Sequence, residues 1–182
     1  MAGKRDQVLD AAIELVGTRG LRALTHRGVD ELAGMPQGST SNYFRSRGAL
    51  LEGLITRLGE RDRDDWRILA KTPPESREEV VNALAAFVRY ATGPDRVRTI
   101  ARYALFVEAA STPGLETIIR SVRSGLVEWG AGMLGLVGSR NPAAGAAVVI
   151  DYVDGVILRE LAMPDPYFDP TSGLRAVLSA LV

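Results

Sequence analysis

The chain has no cysteine and a single histidine, His26. Without thiols there are no disulfides and no thiolate metal sites, and one imidazole cannot supply histidine-based triads or most zinc sites. A glycine-rich phosphate loop followed by Lys and Ser or Thr is also missing. Long apolar runs are missing as well: the longest, Ala143 to Ile150, is far below the ~20 residues a membrane-spanning helix needs. No stretch alternates β-branched and polar residues as a half-buried strand would. Asp151 and Asp154 stand one helical turn apart, a spacing that reads more readily as ion-pair or hydrogen-bond partners than as catalytic carboxylates. These absences argue against an enzyme and against any cofactor. They predict an all-α protein of the reducing cytoplasm.

What is present begins with enough apolar material for a substantial core: 182 residues, of which 46% are hydrophobic. Formal charge sums to zero, yet residues 1–47 carry seven basic side chains against five acidic ones. The remainder is correspondingly acidic, so any attraction to nucleic acid is local to the N-terminal part.

That part divides into helices by its punctuation. Val8, Leu9, Ala12, Ile13, Leu15 and Val16 line one face of a helix from about Lys4 to Arg19, with Gly20 as its stop. Lys4 and Arg5 project from its start, where they could approach phosphates. Thr25 is a suitable N-cap for a second helix whose inner face is Val29, Leu32 and Ala33. Gly34 can end that helix in the left-handed conformation, and Pro36 suits the first turn of another helix, predicted over Pro36 to Phe44. Two short helices at a steep turn form a helix-turn-helix. The last of them bears Gln37, Ser39, Thr40, Ser41 and Asn42, short polar groups poor at forming helix and good at reading base edges or phosphates. Tyr43 and Phe44 close it, one ring for the core and one reaching outward, and Ser46 caps the next helix with Arg47 beside it.

The run Leu32-Ala33-Gly34-Met35-Pro36, Gly38-Ser39-Thr40, Tyr43-Phe44, Ser46-Arg47 and Ala49-Leu50-Leu51 resembles the DNA-binding signature of the TetR family of bacterial repressors. In register, Gly34 is similar to the family's turn glycine, Gly38 to its small residue inside the recognition helix, and Arg47 to its usual lysine. Ser41 and Asn42 depart from the pattern, standing where aromatic residues are frequent. The resemblance implies an all-α homodimer that binds double-stranded DNA through an N-terminal three-helix domain, here 1–46. It further implies a helical effector-binding and dimerisation domain, here 47–182. Gln37, Ser39, Thr40, Asn42 and Tyr43 are expected to face the major groove or its flanking phosphates, with Thr25, His26, Arg27 and Arg47 anchoring the backbone. A dyad-related pair of reading heads needs a near-palindromic operator.

Beyond Ser46 the helices continue. A long one is predicted to about Ala70. Thr72-Pro73-Pro74-Glu75-Ser76 breaks the chain, with Ser76 and Glu79 placed as a capping box. Further helices are predicted over about 76–92, 95–110, 115–137 and 142–162, with a final one carrying Leu174, Val177, Leu178 and Leu181. The helix over 142–162 is apolar nearly all round, so it must bury one face in its own core and another against a partner. Val153, Ile157, Leu161, Leu174 and Leu178 are assigned to that two-fold interface. Large side chains on the intervening helices, Trp66, Phe87, Tyr90, Tyr103, Phe106, Trp129 and Met133, with Arg102 and Glu108 as polar anchors, have the composition of a small-molecule site. The expected function is a transcriptional repressor released from DNA by a small effector, the alternative being a DNA-binding regulator controlled by a protein partner.

Overall fold

A computed structural model describes residues 3–69 and 72–182. Its described residues form nine α-helices and no strand: α1 Lys4–Arg19, α2 His26–Leu32, α3 Ser39–Tyr43, α4 Arg47–Leu69, α5 Arg77–Thr92, α6 Arg96–Ala109, α7 Leu115–Leu136, α8 Pro142–Ala162 and α9 Thr171–Leu181. A 3-10 turn, Leu21–Ala23, joins α1 to α2. Most ends lie where local chemistry puts them. The Thr25 hydroxyl accepts from the Gly28 N–H at 3.0 Å, Ser46 from Ala49 at 3.1 Å, Ser76 from Glu79 at 3.3 Å and Asn141 from Ala144 at 3.4 Å, each satisfying a donor that the helix leaves free. The expected end of α4 at Ala70 lies outside the described residues.

The chain forms two compact units, Met1–Asp62 with Arg96–Val122, and Arg63–Asp95 with Arg123–Val182. The division falls inside α4 and α7, so each of these helices contributes to both units. In the first unit α1 is the central element. Val8, Leu9, Ala12, Ile13, Leu15 and Val16 are buried together with Val29, Phe44, Leu50, Leu51, Leu54, Ile55, Leu58, Ala101, Leu105 and Leu115. α6 lies along α1, and their backbones approach so closely at Gly17 that a β-carbon there would stand 2.1 Å from the carbonyl oxygen of Val97.

The second unit packs α5 against α8 and α9. Its buried side chains include Val81, Ala85, Val88, Val149, Val153, Ile157, Leu174 and Leu178. Of the residues assigned to the two-fold interface, Ile157 is 1% exposed in a single chain and Val153, Leu174 and Leu178 are buried with it. The apolar face at that register serves the unit's own core. The opposite stripe of α8, Val148, Asp151, Gly155, Leu158 and Ala162, is exposed throughout. Leu161 lies between the two faces, half-buried. Asp151 and Asp154 both pair with Arg123 on α7, the ion-pair role their spacing implied.

Candidate nucleic-acid interface

The helix-turn-helix is tighter than periodicity alone predicts. α2 ends through Gly34, at φ 64°, with the Met35 N–H returning to the carbonyl of Asp30 at 2.9 Å. The reading helix does not start at Pro36. Pro36 to Ser39 is a turn closed by the Ser39 N–H on the Pro36 carbonyl at 3.1 Å, with Gly38 at φ 91° and ψ −7° in the third position. Such values suit glycine and mark a type II turn. α3 is consequently only five residues long, and Gly38 stands before it as its cap rather than within it.

The cause of this shift is a residue that sequence reasoning passed over. Asp30, on α2, is 2% exposed. Its Oδ2 accepts from the Gly38 N–H at 2.8 Å and its Oδ1 from the Thr40 N–H at 2.7 Å, while the Thr40 hydroxyl donates to the same Oδ1. Gly38 has no side chain with which to cap α3, so a carboxylate from the neighbouring helix does so. Burial pushes the Asp30 carboxyl up, but the bonds from Thr40 and Gly38, with the field of His26, outweigh this and hold it below the usual carboxylate range. The available signal was an acidic residue amid Val29, Leu32 and Ala33, eight positions before a glycine.

Thr40, expected at the DNA face, is wholly buried, with its hydroxyl and amide both bonded to Asp30. His26 is also turned partly inward, with Nε2 2.6 Å from the carbonyl oxygen of Phe44 at the far end of α3. A carbonyl only accepts, so Nε2 carries the proton. Gln37, Gly38, Ser41, Asn42 and Tyr43 remain exposed, with Ser39 half-buried and its hydroxyl donating to the Pro36 carbonyl. Thr25 and Arg27 are exposed at the start of α2. Phe44 is buried and Tyr43 points outward, the division of labour expected of the pair. The guanidinium of Arg5 lies 5.3 Å from the centre of the Phe44 ring, a cation–π contact. Arg47 is exposed but engaged, donating to Glu108 at 3.2 Å and to the Leu21 carbonyl at 3.3 Å.

The residues assigned to an effector fall in both units. Arg102, Tyr103 and Phe106 belong to the first, where Arg102 forms a two-pronged bond with Asp62. Phe106 is exposed and Tyr103 half-buried. Trp66, Phe87, Tyr90, Trp129 and Met133 belong to the second. There the rings of Trp66 and Trp129 stack with centroids 5.9 Å apart and planes inclined by 22°, within the range of favourable offset stacking. Met133 lies one turn beyond Trp129 on α7, Phe87 is half-buried and Tyr90 exposed. Among the described residues, no helix is long and apolar enough to cross a membrane, and no cluster of His, Cys, Asp and Glu could hold a metal ion.

Residues 8–54 match the family described as "Bacterial regulatory proteins, tetR family", and residues 75–182 match "Tetracyclin repressor-like, C-terminal domain". The chain is 29% identical to the HTH-type transcriptional regulator BetI of Paraburkholderia phymatum, over 94% of this chain and 88% of that one. It is similar to the multidrug binding protein EbrR complexed with ethidium, at 26% identity and TM-score 0.75, covering 98% of both chains. EbrR complexed with proflavin aligns at 27% identity and TM-score 0.67, over 99% of this chain and 100% of that one. A TetR-family member from Streptomyces coelicolor aligns at 27% identity and TM-score 0.74, over 100% and 99% of the two chains. With a helix-turn-helix built on α2 and α3, an all-helical architecture and two matches that together span most of its length, the chain belongs to the TetR family of bacterial transcriptional regulators.

Proposed function

We propose that this regulator is a homodimeric repressor that reads a near-palindromic operator with α3 and releases it when a small aromatic molecule binds. The observation that carries the DNA-reading part is the polarity of α3 and its preceding turn: Thr40 is anchored inward on Asp30, while Gln37, Asn42 and Tyr43 are exposed, as are Arg27, Arg45 and Arg47 on the same helix-turn-helix and its flank. Exposed short polar groups suit base edges, and exposed guanidinium groups suit phosphates. Bound over a promoter, such a dimer would block transcription. The exposed stripe Val148, Asp151, Gly155, Leu158 and Ala162 of α8 is the face we assign to the two-fold axis, in place of the buried positions. No β-carbon at Gly155 would meet a neighbour within 4 Å in the single chain, which leaves room for a partner helix to approach closely.

For the effector, the half-buried Trp129 and Met133, with buried Trp66 stacked on Trp129, offer flat, polarisable surface in the second unit. That surface suits planar aromatic compounds of the kind with which EbrR is complexed. Selection of duplexes from a random pool by the purified full chain tests the DNA reading: enrichment of an inverted repeat supports it, and an unenriched pool overturns it. Repression is tested with a reporter behind the selected sequence.

A further inference from the structure

We infer that Asp30 and His26 form a two-ended positioning clamp on α3, and that this clamp sets how sharply the protein distinguishes one DNA sequence from another. The inference rests on the DNA-reading role proposed above.

A helix of five residues lies far below the length at which a helix is stable by itself, so its orientation must come from outside. His26 and Asp30 are four residues apart on α2 and therefore share a face. They meet α3 at opposite ends. At the N-terminus the Asp30 carboxylate receives the amides of Gly38 and Thr40 at 2.8 and 2.7 Å. At the C-terminus the His26 Nε2–H donates to the Phe44 carbonyl at 2.6 Å. An acceptor of negative charge at the positive end of a helix, and a donor at the negative end, is the favourable arrangement at both termini.

The third bond to Asp30, from the Thr40 hydroxyl to Oδ1, adds something the two ends do not. By fixing Thr40 inward it fixes the rotation of α3 about its own axis, and with it the direction in which Ser41, Asn42 and Tyr43 leave the helix. Base recognition depends on placing a donor or acceptor against one edge of one base pair, whereas attraction to phosphate tolerates looser geometry. Loosening the clamp should therefore blur sequence discrimination while sparing general affinity. Neither Asp30 nor Thr40 is exposed enough to touch DNA, so any effect of Asp30 on specificity must pass through α3.

The test uses the full chain, the duplex that the wild type enriches from a random pool, and a scrambled duplex of equal length. Asp30→Ala should lower the ratio of the two affinities by about tenfold or more, the scale of one misread base pair, while affinity for the scrambled duplex changes by less than about twofold and the salt slope is kept. Asp30→Asn, which retains one acceptor oxygen, should fall between. His26→Ala and Thr40→Val each delete one bond and should each lower the ratio by a smaller factor with unchanged circular dichroism. The Asp30 and Thr40 effects should be non-additive. Destabilisation alone would weaken both duplexes together. Folded His26→Ala and Thr40→Val variants that keep the wild-type ratio overturn the clamp, whatever becomes of Asp30→Ala. A wild type that enriches no sequence overturns the DNA-reading proposal instead.

Discussion

Arg47, at the first position of α4, and Glu108, near the end of α6, form an ion pair at 3.2 Å across 61 residues of sequence. The cation proposed to anchor a DNA phosphate is thus already occupied by a carboxylate of its own unit, and the two anions compete. Exposed pairs of this kind are worth under about 1 kcal/mol, so Glu108→Gln should raise affinity for any duplex by at most about fivefold. Arg47→Ala should weaken all duplexes alike and reduce the salt slope by about one phosphate contact. Titrations at several salt concentrations measure both. An Arg47→Ala chain with the wild-type slope would remove Arg47 from the interface.

The seam between α1 and α6 depends on Gly17. Alanine would gain about 1 kcal/mol of helix propensity, but its β-carbon would fall 2.1 Å from a backbone oxygen of Val97, and backbone cannot rotate away as a side chain can. Gly17→Ala is expected to destabilise by roughly 3 kcal/mol, read as a lower denaturant midpoint. A variant as stable as the wild type would mean the helices can slide apart at no cost.

The face proposed for the two-fold axis yields a contrast between adjacent residues. Leu158 is 52% exposed and Ile157 1% exposed in the single chain. Leu158→Asp should give a folded monomer by sedimentation. Ile157→Asp places a charge inside the second unit and should cost more than about 3 kcal/mol of stability. If Leu158→Asp remains dimeric, the two-fold face lies elsewhere.

The stacked indoles make the effector proposal measurable. Ethidium or proflavin binding beside Trp66 and Trp129 should quench tryptophan emission, and Trp129→Leu should weaken binding by about tenfold, as expected for an aromatic anchor. Linkage requires that the selected duplex and the dye weaken each other's binding by one common factor. A dye whose affinity ignores the duplex is not an inducer.

Acid should act through Asp30. Its carboxyl is held below its ordinary value in the folded chain, so the ionised form favours folding above that value and the contribution fades as pH falls through the lowered one. At neutral pH Asp30→Asn should melt below the wild type, and the gap should close in acid below about pH 3.9. Melting curves across that range decide it, and a gap independent of pH would assign the loss to packing.

How far the sequence could be read depended on whether the deciding contact was local. The ends of α1 and α8 were legible to the residue, because a helix is stopped or started by glycine, proline and capping side chains within a few positions. The helix-turn-helix itself was legible from Thr25, Gly34 and the polar run that follows. The start of α3 was not, since the carboxylate that caps it comes from Asp30 on another helix, and Pro36 by itself looks like a first turn.

By itself the sequence determined an all-helical chain, the order and ends of most helices, a helix-turn-helix near the N-terminus, and that α8 is apolar nearly all round. Only the tertiary structure decided which face of α8 is spent within the chain, that Thr40 points inward, that Arg47 meets Glu108, and that α6 joins the N-terminal helices along α1. Periodicity says that a face is apolar and capping says where a turn must end. Neither says which distant segment arrives to cover that face or to accept that proton, because that depends on the path of the whole chain.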